Sequence, residues 1–198
     1  LYDFIHVDHD TLGIAIADSS GHGLPAALQA RDVATGLRMG VARDFKLQRV
    51  VEKLNGIIHR SGLVSRFISM VFGELEKNGN FSYINAGHPP PLLRGPRGVS
   101  ELSVGGTLLG PQADASYKLG FAHLDRGATL AMVTDGVIER GVEAGEMLGD
   151  NRVKEWLEAW PAGPAHAAAD DLIRRVNAFG DGGPLEDDVT VVYVHRPK

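Results

Sequence analysis

TLGIAIADSSGHGLPAAL, Thr11 to Leu28, is the stretch from which the rest of the chain can be read. Thr11 to Asp18 is a short apolar run bounded by turn residues, the pattern of a buried strand. It ends on a carboxylate, Asp18, and passes through Ser19, Ser20, Gly21, His22 and Gly23 to Pro25, which suits the first turn of a helix. Two distant segments share this grammar. TLAMVTD (Thr129 to Asp135) ends an apolar run on Asp135, and DDVTVVYV (Asp187 to Val194) opens one on Asp187 and Asp188. Strand ends on one rim of a sheet bring such carboxylates together, and oxygen donors are what hard cations such as Mg²⁺ and Mn²⁺ take. Carboxylates held close repel one another unless a cation neutralises them, so the ordered set points to a two-metal hydrolase.

Each motif alone has a plainer reading. An Asp leaving a strand into Ser and Gly also serves as a turn or helix cap. Gly21 and its neighbours permit sharp backbone turns that free a carbonyl or amide to approach a metal. His22 either shuttles protons or holds its loop by hydrogen bonds, the second being the commoner role for a lone histidine. Asp135-Gly136 is a common turn dipeptide that gains meaning only from the apolar run before it. On a strand, Asp187 and Asp188 would point to opposite faces, so one of the two faces a given site. YINAGHPPPLL (Tyr83 to Leu93) reads as a rigid turn between two strands, with His88 structural rather than catalytic. Asp8 with Asp10, and Asp170 with Asp171, read as solvated pairs.

Composition narrows the classes. The 198 residues, 43% hydrophobic and 23% charged, fit one globular domain with its own core. A net charge of −5 without a polybasic block argues against nucleic acid as a partner. The absence of cysteine removes disulfides, thiolate zinc sites and cysteine nucleophiles, and suits a cytoplasmic location. No run approaches the roughly 20 apolar residues of a membrane-spanning helix. Because Leu1 already stands in patterned sequence, the chain reads as a fragment truncated at its N-terminus, the C-terminal output domain of a longer protein.

Helical spacing follows Pro25, with Leu24, Ala27, Leu28, Ala34, Leu37 and Val41 on one stripe. A second stripe runs through Leu47, Val50, Val51, Leu54, Ile57 and Ile58. From Arg66 to Leu130 the pattern changes to short β-rich runs, for which FISMVFGEL, FSYINAG, PLLRG, VSELSV, YKLGFAHL and ATLAMVTD are the candidates. Lys77 to Asn80 reads as a hairpin turn. Helical spacing returns at Val153, Trp156, Leu157 and Trp160, and again at Leu172, Ile173, Val176 and Phe179. Strands with a helix pair before and another after predict an α+β fold of two packed sheets with helices outside.

ADSSGHGLPAAL, YINAGHPPPLL, LAMVTDGVIE and DDVTVV, in this order and with GGTLLG between them, resemble the SpoIIE-like branch of the PPM (protein phosphatase 2C-type) serine/threonine phosphatases. The resemblance runs over essentially the whole chain, residues 1–198, and treats it as one domain. It implies two antiparallel sheets in a β-sandwich with helix pairs on both outer faces, and two Mn²⁺ or Mg²⁺ ions. It makes Asp18 the bridging ligand, adds the Ser19 carbonyl, and gives the second metal to Asp135 and Asp187. Gly136 keeps that turn tight, Asp188 and Thr190 support the loop, and Gly21 and His22 support the first motif. Two departures stand out. The Gly-Gly-Asp usual before Tyr2-Asp3-Phe4, with its strand, is not in the sequence, and Ser19 stands where the wider group often has glycine.

The implied reaction is hydrolysis of a phosphoserine or phosphothreonine protein by a metal-activated hydroxide, without a phosphoenzyme. The implied substrate is a phosphorylated STAS-domain anti-sigma-factor antagonist in bacterial signalling. An upstream sensor or receiver domain would provide the input, and a homodimer is compatible with the family. Two other readings compete: a non-catalytic, phosphatase-like output domain that binds a partner, and a two-metal phosphoesterase acting on nucleotides. Retained Asp18, Asp135 and Asp187 argue against the first, and the negative charge with no aromatic-basic cluster argues against the second.

Overall fold

TLGIAIADS does form a strand, and the residues Gly13 to Ala17 are buried on both of its faces. A computed structural model describes residues 1–21, 23–43, 46–61, 67–142, 145–160, 163–179 and 183–198. They fall into two compact units, Leu1–His88 with Ser103–His123, and Pro89–Leu102 with Leu124–Lys198. Numbered along the chain, the first unit contains β1 (Tyr2–His6), β2 (Thr11–Ser19), α1 (Leu24–Ala42), α2 (Leu47–Arg60), β3 (Ile68–Glu76), β4 (Asn80–Ala86), β7 (Gly105–Gly106) and β8 (Gly120–His123). The second contains β5 (Leu92–Gly95), β6 (Gly98–Glu101), β9 (Thr129–Val133), α3 (Asp135–Ile138), α4 (Gly149–Ala159), α5 (Ala165–Ala178) and β10 (Val191–His195).

Each unit is built on one sheet. The first has the order β1-β2-β3-β4-β7, with β8 also paired to β4, and the second has the order β10-β9-β5-β6. The fold is therefore α+β, with two sheets plus helices. Pairing is antiparallel except between β4 and β7, where Asn85 and Ala86 run parallel to Gly105 and Gly106. That pairing departs from the purely antiparallel expectation and depends on glycine. A Cβ on Gly105 would lie 1.8 Å from the Asn85 carbonyl oxygen, so no other residue fits. Strand β1, absent from the sequence reading, pairs with β2 from Tyr2 opposite Ile16 to His6 opposite Leu12.

In the first unit α1 and α2 cover the sheet through a core of Ala15, Ala17, Val33, Leu37, Val51, Leu54, Met70 and Phe72. The α2 stripe is as read, except that Ile57 is exposed. The α1 stripe is not. The buried positions are Ala26, Gln29, Val33, Leu37 and Gly40, whereas Leu24 and Leu28 are 71% and 40% exposed. The reason is a glycine contact between the helices. A Cβ on Gly36 would stand 2.8 Å from Leu54 Cδ1, and one on Gly40 2.7 Å from Val50 Cγ1. Close approach of α2 fixes the rotation of α1, which buries Val33 and Leu37 and leaves Leu24 and Leu28 outside.

In the second unit α4 and α5 pack on the sheet through Val153, Leu157, Leu172 and Val176 against Leu92, Ala131 and Val133. Asp171, read as solvated, is instead buried on α5. It accepts a hydrogen bond from Arg175 Nε at 2.6 Å and pairs with Arg174 at 3.0 Å. Burial first, and the Asp171 charge second, push the nearby Tyr193 hydroxyl up to about 12. Among the described residues no helix is long and apolar enough to cross a membrane.

Gly40→Ala tests the helix contact. Overpacking a core costs about 1–3 kcal/mol, and the better helix propensity of alanine returns about 1 kcal/mol. Urea denaturation should show a net loss of about 1 kcal/mol that shrinks when the same change is made in a Val50→Ala background. An equal loss in both backgrounds would mean that Gly40 does not set the approach of the two helices.

Candidate metal centre

Asp18 is the last but one residue of β2, half-buried, and pairs across the ladder with Ser69 of β3. Ser69 Oγ is hydrogen-bonded to His88 Nδ1 at 2.7 Å, and both side chains are buried. His88 is held in turn by Asn85, whose Oδ1 accepts from the His88 amide at 2.8 Å and whose Nδ2 donates to the His88 carbonyl at 2.9 Å. The Asn-Ala-Gly-His turn is thus held by its own side-chain bonds, and Gly87 takes a positive φ of 69°. Beyond Asp18, the Ser20 amide donates to the Phe67 carbonyl, and the Phe67 amide donates to Ser20 Oγ, both at 2.9 Å. Ser19 Oγ donates to the Ala26 carbonyl at 3.3 Å, tying the strand end to the first turn of α1. Gly21 and Gly23 take φ of 85° and 78°, the sharp turning for which glycine was singled out. His22 lies outside the described residues.

Asp135 and Asp187 are gathered within the second unit by a threonine. Thr134, at the end of β9, pairs its backbone amide with the Thr190 carbonyl at 3.1 Å. Its hydroxyl accepts from the Thr190 amide at 2.9 Å and donates to the Asp188 carbonyl at 3.1 Å. Asp135 follows directly and opens the single turn α3, with its carboxylate accepting from the Gly136 amide at 3.0 Å. The Asp187 carboxylate accepts from the Asp188 amide at 2.7 Å. The two segments are in backbone contact, because a Cβ on Gly136 would stand 2.5 Å from the Asp188 oxygen. Gly136 is thus required by close approach, and its φ is not positive. Strand β10 begins at Val191, so Asp187 and Asp188 lie in an exposed bend ahead of it. The alternating-face argument for choosing between them does not apply there.

A family description, Stage II sporulation protein E (SpoIIE), matches residues 8–197. The chain belongs to the SpoIIE family. It is 29% identical over 198 residues to the phosphoserine phosphatase RsbU of Bacillus subtilis (strain 168), a match covering 98% of this chain and 58% of RsbU. Among solved structures it resembles the RsbU and RsbW domains of Rv1364c from Mycobacterium tuberculosis, with a TM-score of 0.82 and 24% identity over 100% of this chain and 56% of that one. It also resembles the SiaA-PP2C domain of Pseudomonas aeruginosa, with a TM-score of 0.85 and 18% identity over 98% of this chain and 78% of that one. These likenesses establish a PP2C-like fold, and the chain spans little more than half the length of RsbU.

PP2C-type phosphatases are metal-dependent, and this SpoIIE-family chain offers oxygen donors for a cation. Among the described residues no group of three or more His, Asp or Glu side chains forms a ready cage. The oxygen chemistry of Asp135 and Asp187 nevertheless suits a hard cation, and the Thr134 clasp and the Gly136 contact hold their backbones together. Thr134, Ser69 and Arg140 escaped the sequence reading. A threonine between a β-run and an Asp-Gly pair was the one available signal for Thr134. Ser69 and Arg140 carried none.

Gly136→Ala should push the Asp188 carbonyl away and loosen the clasp. The expected cost is about 1–3 kcal/mol of stability, together with faster hydrogen exchange at the Thr190 amide. Unchanged protection of that amide would contradict the close approach.

Proposed function

We propose that this chain is a metal-dependent phosphoserine/phosphothreonine protein phosphatase domain. Membership of the SpoIIE family and identity with RsbU support the class. The observation that carries the reading is the junction at Thr134, where Asp135 and the Asp187–Asp188 bend are drawn together by side-chain and backbone bonds. Asp18, the Ser19 carbonyl, Asp135 and Asp187 are the proposed ligands of two Mn²⁺ or Mg²⁺ ions. Ser69 and His88 brace the strand beside Asp18.

In the net reaction a water oxygen forms a bond to phosphorus and the bond from phosphorus to the serine oxygen breaks. The serine oxygen leaves as a hydroxyl, so water supplies both the new oxygen and the proton. Bound cations supply Lewis acidity toward that water and the phosphate oxygens. The protein's part is to present carboxylates that hold the ions, and to fix them on backbone that does not yield. Asp135 is fixed by the start of α3, and Asp187 by the bond its carboxylate accepts from the Asp188 amide and by the neighbouring Thr134 clasp. With no cysteine in the sequence, no thiol phosphoenzyme enters the scheme.

The proposed substrate is a phosphorylated STAS-domain anti-sigma-factor antagonist, and the proposed setting is the output end of a longer signalling protein. RsbU, a phosphoserine phosphatase of which this chain spans 58%, supports a phosphoserine substrate and a longer setting, and the STAS domain is what the family resemblance implies. Turnover should be measured on a phosphoserine peptide, p-nitrophenyl phosphate and a cyclic nucleotide, with Mn²⁺ and with EDTA. The expected result is Mn²⁺-dependent hydrolysis of the two monoesters, abolished by EDTA and by Asp18→Asn or Asp135→Asn in a chain that melts normally. Equal rates in EDTA would overturn the cation reading. Cleavage of the cyclic nucleotide alone would favour the phosphoesterase, and partner binding without turnover would favour the non-catalytic module.

A further inference from the structure

Just past α3 the chain places an arginine where a charged side chain is rarely found. Arg140 is only 3% exposed. Its guanidinium donates from Nε to the Val176 carbonyl at 3.3 Å, from Nη1 to the Pro184 carbonyl at 2.5 Å and from Nη2 to the Gly183 carbonyl at 2.6 Å. One planar fork thus ties the chain just past α3 to the last turn of α5 and to the segment that runs into Asp187. A buried guanidinium is costly unless its donors are met, and backbone carbonyls meet them here. The next residue adds a second strut. The Gly141 amide donates to the Glu186 carboxylate at 2.7 Å, and the positive φ of Gly141, 88°, together with the close approach of the Glu146 carbonyl to the place a Cβ would take, reserves that position for glycine.

These bonds share a geometry. Arg140 lies five residues after Asp135 in a turn closed by the Glu139 amide on the Asp135 carbonyl at 2.7 Å. Glu186 immediately precedes Asp187. Every bond of the fork and the strut except that to α5 therefore spans from the Asp135 side to the Asp187 side. Thr134 clasps the same two segments downstream of Asp187, through Asp188 and Thr190. The Asp187 bend is held on both flanks, by threonine after it and by arginine and glutamate before it.

We propose that Arg140, seconded by Glu186, is a positioning residue that sets the placement of Asp187 relative to Asp135 and so the affinity of the chain for its cation. This rests on the reading of Asp135 and Asp187 as ligands. The fork is what matters, since a lysine is a point charge on a flexible stem and cannot hold three carbonyls in one plane. Residues that orient metal ligands typically change affinity by about 10–100-fold when lost.

The test is Mn²⁺ titration by calorimetry, without substrate, on the whole chain and on Arg140→Lys and Glu186→Ala, with thermal melting of each. Glu186 is exposed, so its truncation leaves the fold intact even if Arg140→Lys does not fold. Arg140→Lys should weaken Mn²⁺ binding about tenfold or more, and Glu186→Ala by a smaller but measurable factor. In turnover assays both should raise the Mn²⁺ concentration for half-maximal rate while kcat at saturating Mn²⁺ recovers. Wild-type Mn²⁺ affinity in Glu186→Ala, or in a folded Arg140→Lys with a lowered melting temperature, would make these residues scaffold only and overturn the inference. A wild-type chain that binds no Mn²⁺ would overturn the ligand reading, and this inference with it.

Discussion

The hydrogen bonds of Thr134 are the constraint on which the candidate site of the second unit depends. The β9–β10 ladder runs from Thr129 opposite His195 to Val133 opposite Val191. Thr134 and Thr190 continue it by one further backbone bond, after which the Thr134 hydroxyl takes over the work of a ladder partner. A hydroxyl both donates and accepts, so one side chain satisfies the Thr190 amide and the Asp188 carbonyl together. This lets the two chains diverge just where each carries an aspartate, without stranding backbone groups. The Gly136 contact then makes the separation of the segments a matter of backbone sterics.

The first unit solves the equivalent problem differently. Asp18 is carried by a ladder that pairs β2 with β3 from Thr11 opposite Glu76 to Ser19 opposite Ile68, so its backbone is fixed on that side by sheet bonds, while β1 pairs with β2 only as far as Ile16. The turn after it is held by Ser19 and Ser20, while His88, Asn85 and Ser69 form a buried network at the adjoining strand ends. These bonds tie the end of β4 to the start of β3, which gives the NAGH turn its structural weight.

Strand periodicity and turn chemistry made most of the architecture legible. FISMVFGEL, FSYINAG and ATLAMVTD lie on β3, β4 and β9, and the hairpin at Lys77 to Asn80 turns at Gly79 with φ of 101°. The failures have physical causes. Helix α1 carries apolar or small residues on more than one side, so spacing alone could not show that Gly36 and Gly40 would fix its rotation. Asp171 looked solvated because its arginine partners, one helical turn away, are also polar in sequence. Strand β1 had too little run to register, and β7 is two glycines whose pairing is dictated by a close approach. At the candidate site the aspartates were visible as motif residues. Thr134 and Arg140 were not, because what they do is bond to backbone atoms distant in sequence.

The choice of Asp187 over Asp188 is the sharpest point at which the account of the metal centre can fail. Both are exposed, and the strand alternation that would have separated them is absent because β10 starts at Val191. Asp188 is held by its main chain through Thr134 and Gly136, which assigns its backbone a structural task, whereas Asp187 carries the proposed ligand carboxylate. Calorimetric titration of Mn²⁺ into Asp187→Asn and Asp188→Asn, each beside the wild-type chain, tests this directly. The account predicts that Asp187→Asn loses most of the binding and that Asp188→Asn keeps it close to wild type. The opposite ranking, or equal binding in both, would contradict it.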